Sequence, residues 1–196
     1  MQEQLQLYPD QPQPEPEQPQ AAPEQEQPEE PSWEMKSTSV CFTGHRVLTN
    51  LEKEAIRKQL PVILLQLYQQ GFRFFFTGGA LGFDTLAAQA ILNFRQEHPD
   101  AHLVLVKPCP DQTANWFEAD RIEYDRLAQN TSLIFTVSRE YTPQCLHARN
   151  RFMVNHCKVC VAYCQRRSGG SFYTLNYARK QGLRLFYLPK PVEKTP

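Results

Sequence analysis

The 196-residue chain carries 21 basic and 21 acidic side chains, but its zero net charge hides an uneven distribution. Residues 1–36 hold nine of the acidic residues, one basic residue and half of the sixteen prolines, which leaves the remainder with a net charge of +8. No apolar run reaches membrane-spanning length and the N-terminus lacks the basic-then-apolar order of a signal peptide, so the expected compartment is the cytoplasm.

The Gln-, Glu- and Pro-rich segment 1–36 has almost no residue that could join a core, and disorder is expected there. Residues 37–190 are long enough for one domain with a real core, and 191–196 read as a short C-terminal tail. Ser39-Val40-Cys41-Phe42 is a short apolar strand ending in the turn Thr43-Gly44-His45-Arg46. Thr49 or Asn50 can cap the helix that follows, in which Ile56, Leu60, Ile63, Leu64 and Leu67 recur at helical spacing. Pro61 inside it predicts a kink or a restart, and Gly71 a C-terminal cap.

A second strand, Arg73 to Phe76, leads into Thr77-Gly78-Gly79-Ala80-Leu81-Gly82-Phe83-Asp84. The next helix buries Phe83, Ala87, Ala90, Ile91 and Phe94 and breaks at His98-Pro99-Asp100. His102 to Val106 is a third strand. A helix predicted from about Thr113 to Gln129 carries Trp116, Asp120 and Tyr124 on one face. Leu133 to Val137 forms the fourth strand, and His147 to Val154 lies on the following helix. The fifth strand centres on Val159 to Tyr163. Arg166-Arg167-Ser168-Gly169-Gly170-Ser171 then turns into a helix ending at Lys180, and Leu183 to Leu188 is the last strand.

Strands and helices alternate, and the strands are apolar runs rather than alternating patterns. This predicts a Rossmann-like α/β/α three-layer sandwich with a mainly parallel sheet of about six strands. Ligands in such sheets bind at the carboxyl ends of the strands. Three glycine turns, at Gly44, Gly78-Gly79 and Gly169-Gly170, follow strands and converge on that edge. Glycine-rich turns opening helices direct backbone N–H groups at anions, and the basic domain favours the same partners.

Cys157, Cys160 and Cys164, with His156 and His147 nearby, have the look of a metal cluster. Strand alternation should instead point Cys157 and Cys160 to opposite faces, and free cysteine is a common core residue; no metal is expected.

Together, Cys41-Phe42-Thr43-Gly44-His45-Arg46, Gly78-Gly79-Ala80-Leu81-Gly82-Phe83-Asp84, Arg149-Asn150-Arg151-Phe152-Met153-Val154 and Gly169-Gly170-Ser171 resemble the YpsA-like branch of the SLOG superfamily. That superfamily also contains the DNA-processing protein DprA and the LOG phosphoribohydrolases. The resemblance runs from about Ser39 to Leu188 and implies a Rossmann-like fold and a nucleotide-derived ligand. Departures bear on activity. The segment Gly169 to Asn176 lacks the Glu that LOG enzymes place after this turn. Asn155 stands where the branch usually has Asp, and Gln165-Arg166 replaces its usual Asp-Gly.

The expected ligand-binding set is Thr43, Gly44, His45, Arg46, Gly78, Gly79, Gly82, Asp84, Trp116, Arg149, Asn150, Ser168, Gly169, Gly170 and Ser171. The glycines would let amides meet phosphate, or else pack strand against helix. Arg46 could pair bidentately with phosphate. His45 and Asp84 are the catalytic candidates, with Asp120 behind them. Asp84 could bind a ribose hydroxyl or simply favour a helix start. Trp116 could stack on a base or belong to the core. Arg149 and Asn150 diverge by about 100° on their helix, so Arg149 is expected to face the ligand while Asn150 holds a loop. The leading expectation is binding or sensing of a nucleotide-derived ligand, ADP-ribose or NAD-like, with no required cofactor. The alternatives are hydrolysis of an N-glycosidic or phosphate bond and DprA-like binding of single-stranded DNA. Homo-oligomerisation stays open.

Overall fold

The computed structural model describes residues 31–191. In chain order its elements are α1 (Trp33–Ser37), β1 (Ser39–Gly44), α2 (Asn50–Gln69), β2 (Phe74–Thr77), α3 (Phe83–Arg95), β3 (His102–Lys107), α4 (Glu118–Gln129), β4 (Leu133–Thr136), α5 (Cys145–Asn155), β5 (Val159–Tyr163), α6 (Gly169–Lys180) and β6 (Arg184–Tyr187). The strands form one sheet in the order β4-β3-β2-β1-β5-β6, and every pairing is parallel. No described helix is long and apolar enough to cross a membrane.

Alternating side chains of the central strands feed two cores. Val40, Phe42, Phe75, Val159, Val161 and Tyr163 pack with Ile56, Leu60, Leu64 and Leu67 of α2 and with Phe83, Ala87 and Ile91 of α3. Their neighbours Cys41, Phe76, Cys160 and Ala162 pack on the other side with Met153 and Val154 of α5 and Leu175 and Ala178 of α6. Burial on both faces explains why the strands read as continuous apolar runs.

Four elements differ from their predicted bounds or form. Residues 33–36, assigned to the tail, form α1 together with Ser37: Ser32 accepts from the Met35 amide, and Met35 packs on the second core. Residues 1–30 and 192–196, which hold the rest of the two predicted tails, lie outside the described residues. The α2 helix runs unbroken over 20 residues through Pro61, which sits on its exposed side. Water there can take the carbonyl that the proline leaves without a helical donor. The α4 helix starts at Glu118, so Trp116 precedes it. The α6 helix begins at Gly169, so the glycine pair is its first turn rather than a turn ahead of it.

The alternation argument fails for the cysteines. Cys157 lies before β5 starts, so strand periodicity does not govern it. Cys41, Cys157 and Cys160 share the second core, and Cys41 is the register partner of Cys160. Hydrogen bonding among these three thiols and burial raise the Cys41 and Cys160 thiols well above the usual range. Thiols held protonated in this way are inert packing groups.

Candidate functional site

The chain leaves β1 toward β2 on one side and leaves β5 toward β6 on the other, although β1 and β5 are neighbours. Loops diverge at such a reversal and open a crevice at the carboxyl edge. A cavity of about 450 Å³ lies there. Residues 43–47, at the end of β1 and just beyond it, form one wall, and Arg166 and residues 168–171 after β5 form another. Leu146, His147, Arg149, Asn150 and Met153 of α5 face it, and Ala80 and Asp84 close its base.

Of the predicted residues, Thr43, Gly44, His45, Arg46, Asp84, Arg149, Asn150, Ser168, Gly169, Gly170 and Ser171 come together on this cavity. Gly78, Gly79, Gly82 and Trp116 are not in its wall. The glycines of the β2–α3 loop have packing tasks instead. A Cβ on Gly82, at φ +79°, would stand 2.3 Å from the Arg46 carbonyl oxygen and 2.5 Å from that of His45. A Cβ on Gly78 would overlap the Arg149 guanidinium, and one on Gly79 would meet Leu105 and Tyr124. Gln112 covers this loop from outside by donating to the carbonyls of Gly78 (3.1 Å) and Gly79 (2.9 Å). Trp116 stacks edge-on against Tyr124. The β2–α3 loop is therefore a bed on which the β1–α2 loop and Arg149 rest.

Asp84 and Arg149 form the buried charge pair of the site, 6% and 4% exposed. Asp84 Oδ2 accepts from the Ala80 amide at 3.3 Å and stands 3.7 Å from Arg149 Nη1. Burial pushes the Asp84 carboxyl above its usual range, against the pull of Arg149. Burial likewise lowers Arg149, opposed by Asp84. Arginine nonetheless keeps its proton in proteins. Nε and Nη1 of Arg149 have no hydrogen-bond partner among the described residues. Desolvated donors of this kind are costly, and a ligand acceptor would relieve them.

The α6 helix presents its N-terminus to the same cavity without a side-chain cap. Space around Gly169 and Gly170 is open, with nothing within 4 Å of where a Cβ would stand. Ser171 Oγ donates to the Gly44 carbonyl, tying this turn to the end of β1. Such amides carry partial positive charge and suit an oxyanion. Arg46 and Arg166 add two exposed cationic side chains.

His45 is engaged in holding the loops together. Its Nε2 accepts from the Gln165 amide at 2.8 Å, and its ring meets Tyr163 edge-on. Burial, then the charge of Arg166, lowers its pKa. An accepting Nε2 fixes the neutral tautomer with its proton on Nδ1.

The expected set missed Phe42, Val47, Ala80, Leu146, His147, Met153 and Arg166. Helical spacing could have found Leu146 and Met153, which lie four before and three after Asn150 on α5. The expected division of labour on α5 is corrected, because both Arg149 and Asn150 line the cavity.

The model of the YpsA family, described as the YspA SLOG family, matches residues 41–188. The chain belongs to this family. The resemblance read from its motifs is thereby borne out. A UPF0398 protein of Halalkalibacterium halodurans is 28% identical over 141 residues, covering 70% of this chain and 72% of that protein. The SPbeta prophage-derived protein YoqJ of Bacillus subtilis is 27% identical over 135 residues, covering 63% and 79%. Two solved DNA-processing proteins share the SLOG chain's fold. DprA of Streptococcus pneumoniae gives a TM-score of 0.59 at 18% identity over 82% of this chain. The chain spans only 53% of that protein. DprA of Helicobacter pylori, described for its single-stranded DNA binding mode, gives 0.58 at 21% identity over 84% of this chain and 72% of its own.

Proposed function

We propose that the cavity binds the phosphate end of a nucleotide or nucleotide-derived ligand, and that the protein acts as a binder or sensor. The observation that carries this reading is Arg149. It lines the cavity while almost wholly buried, and among the described residues two of its nitrogens have no hydrogen-bond partner and one carboxylate, 3.7 Å away, balances it. A phosphate in the cavity would add a second counter-charge beside this guanidinium in a site of low dielectric. The uncapped first turn of α6 would supply further donors. Binding without hydrolysis is favoured because both acid–base candidates have other work. His45 Nε2 accepts an amide proton and Asp84 balances Arg149.

Calorimetry with AMP, ADP, ADP-ribose, NAD and a short single-stranded oligodeoxynucleotide tests the proposal. A small nucleotide should bind and raise the thermal midpoint by mass action. Arg46→Ala should weaken it by about ten- to a hundredfold, the loss of one charge-assisted contact. Arg95→Ala, on the far end of α3, should leave affinity unchanged. Tight binding of the oligonucleotide with none of the mononucleotides would move the reading to single-stranded DNA, the ligand reported for the Helicobacter pylori protein. Hydrolysis products in the calorimeter cell would move it to an enzyme.

A further inference from the structure

The cavity is chemically divided. Arg46, Arg149, Arg166 and the α6 turn supply positive charge, whereas Leu146 and Met153 of α5 give it an apolar side. Leu146, Asn150 and Met153 recur at i, i+4 and i+7 and so lie along one stripe of that helix. His147 adjoins the stripe, lines the cavity and stays exposed to solvent.

The His147 ring is held in place from behind. Tyr173 of α6 meets it edge-to-face with ring centroids 4.4 Å apart at 70°. The Tyr173 hydroxyl accepts from Arg151 Nη1 at 3.1 Å, and Tyr177 lies parallel to Tyr173 at 6.4 Å. The Tyr177 hydroxyl in turn donates to Asn155 at 3.0 Å. Tyr173 thus packs against an exposed imidazole in the cavity wall and is itself braced by Arg151 and Tyr177. Nothing in core packing requires such a ring there, and a flat π-surface beside a charged pocket suits a stacked base. Trp116, the aromatic expected to stack, lies outside the cavity wall.

We propose that Leu146, His147 and Asn150 form the nucleobase subsite of the cavity, with the base stacked on His147 and its edge read by the Asn150 amide. This rests on the nucleotide reading above and assigns the half of the ligand that the arginines do not touch. The Asn150 amide offers one donor and one acceptor, which a base edge with an adjacent acceptor and donor can satisfy together. Met153, buried one turn along the stripe from Asn150, adds apolar wall beside the base.

Calorimetry with ADP, GDP, CDP, UDP and inorganic pyrophosphate separates the two halves. In the wild-type protein at least one nucleoside diphosphate should bind tenfold or more tightly than pyrophosphate. His147→Ala should weaken that nucleotide by about tenfold or more, the scale of one lost base–aromatic stack, and leave pyrophosphate within twofold. His147→Phe keeps a flat ring and should restore most of the affinity. Asn150→Ala should narrow the differences among the four nucleotides. Equal wild-type affinity for pyrophosphate and all four nucleotides, or equal weakening of both classes by His147→Ala, overturns the base subsite while leaving the phosphate site standing. Absence of binding by pyrophosphate and every nucleotide overturns both.

Discussion

The Arg149 guanidinium stands 3.7 Å from the Asp84 carboxylate, in a pair that is buried yet makes no direct hydrogen bond. Asp84 spends its Oδ2 on the amide of Ala80 in the loop after β2. The pair therefore joins that loop to α5 and holds a buried cation in the cavity wall.

Removing either partner should have unequal effects. Asp84→Asn leaves the Arg149 charge buried without a counter-charge and should cost about 3–5 kcal/mol, measured by chemical denaturation. Acid cannot relieve it, because arginine does not titrate. Arg149→Met leaves Asp84, which can protonate. The folded-state pKa of Asp84 is already raised by burial, so its contribution to stability is fullest in acid and is lost as pH rises through that value. Loss of Arg149 raises it further. The deficit of Arg149→Met relative to wild type should therefore shrink as the solution is acidified. A deficit independent of pH would mean that Asp84 is not buried with Arg149.

Two glycines with similar φ angles should respond differently to alanine. Gly82 (φ +79°) and Gly169 (φ +84°) both occupy the left-handed region. Gly82→Ala adds a clash with two backbone carbonyls that cannot swing aside, and should cost about 2–4 kcal/mol. Gly169→Ala meets open space and should cost only the strain, about 1–2 kcal/mol. Its larger consequence should be weaker nucleotide binding, because the methyl group stands beside the α6 amides. Equal destabilisation by the two substitutions in urea unfolding would contradict the packing described for the β2–α3 loop.

The His45 contact predicts a loss of order in mild acid. Burial, aided by the charge of Arg166 and opposed by Glu52, depresses its pKa, so the unfolded chain takes up this proton before the folded one does. Stability from this group is present above the unfolded value, about 6.5, and is lost as pH falls through the folded one. Protonation also removes the acceptor for the Gln165 amide. The Gln165 amide resonance should shift with the His45 titration, and His45→Phe should abolish the coupling. An unshifted Gln165 resonance across that titration would refute the hydrogen bond.

Truncation separates the N-terminal segment from α1. Removing residues 1–37 should lower the thermal midpoint relative to removing 1–30, because it strips Met35 from the second core and the acceptor of the Ser39 hydroxyl from the start of β1. Identical midpoints for the two truncations would show that α1 adds nothing to the domain.

Much of this architecture was legible in the residue order. Continuous apolar runs at Val40–Phe42, Phe74–Phe76 and Val159–Tyr163 demand cover on both faces, and that requirement alone selects a parallel sheet between helices. Glycine turns after strands pointed to the carboxyl edge of the sheet, and residues 43–46, 149–150 and 168–171 meet on the cavity there. These are local relations: a strand end, a turn and a helix start are neighbours in sequence, so their chemistry can be read without a fold.

Only the tertiary structure decided which glycine turn faces the cavity and which supports it. Gly78 and Gly82 share the composition of Gly169 and Gly170, but the order β2-β1-β5 puts β1 and β5 at the reversal and leaves the loop after β2 beneath its neighbour. The same holds for side chains. Asp84 and Arg149 are far apart in sequence, and no spacing rule brings them to 3.7 Å. His147 and Tyr173 meet only because α5 and α6 pack side by side on one face of the sheet. Periodicity reports which face of an element is apolar; which polar groups then confront one another depends on strand order and helix packing, which are properties of the whole chain.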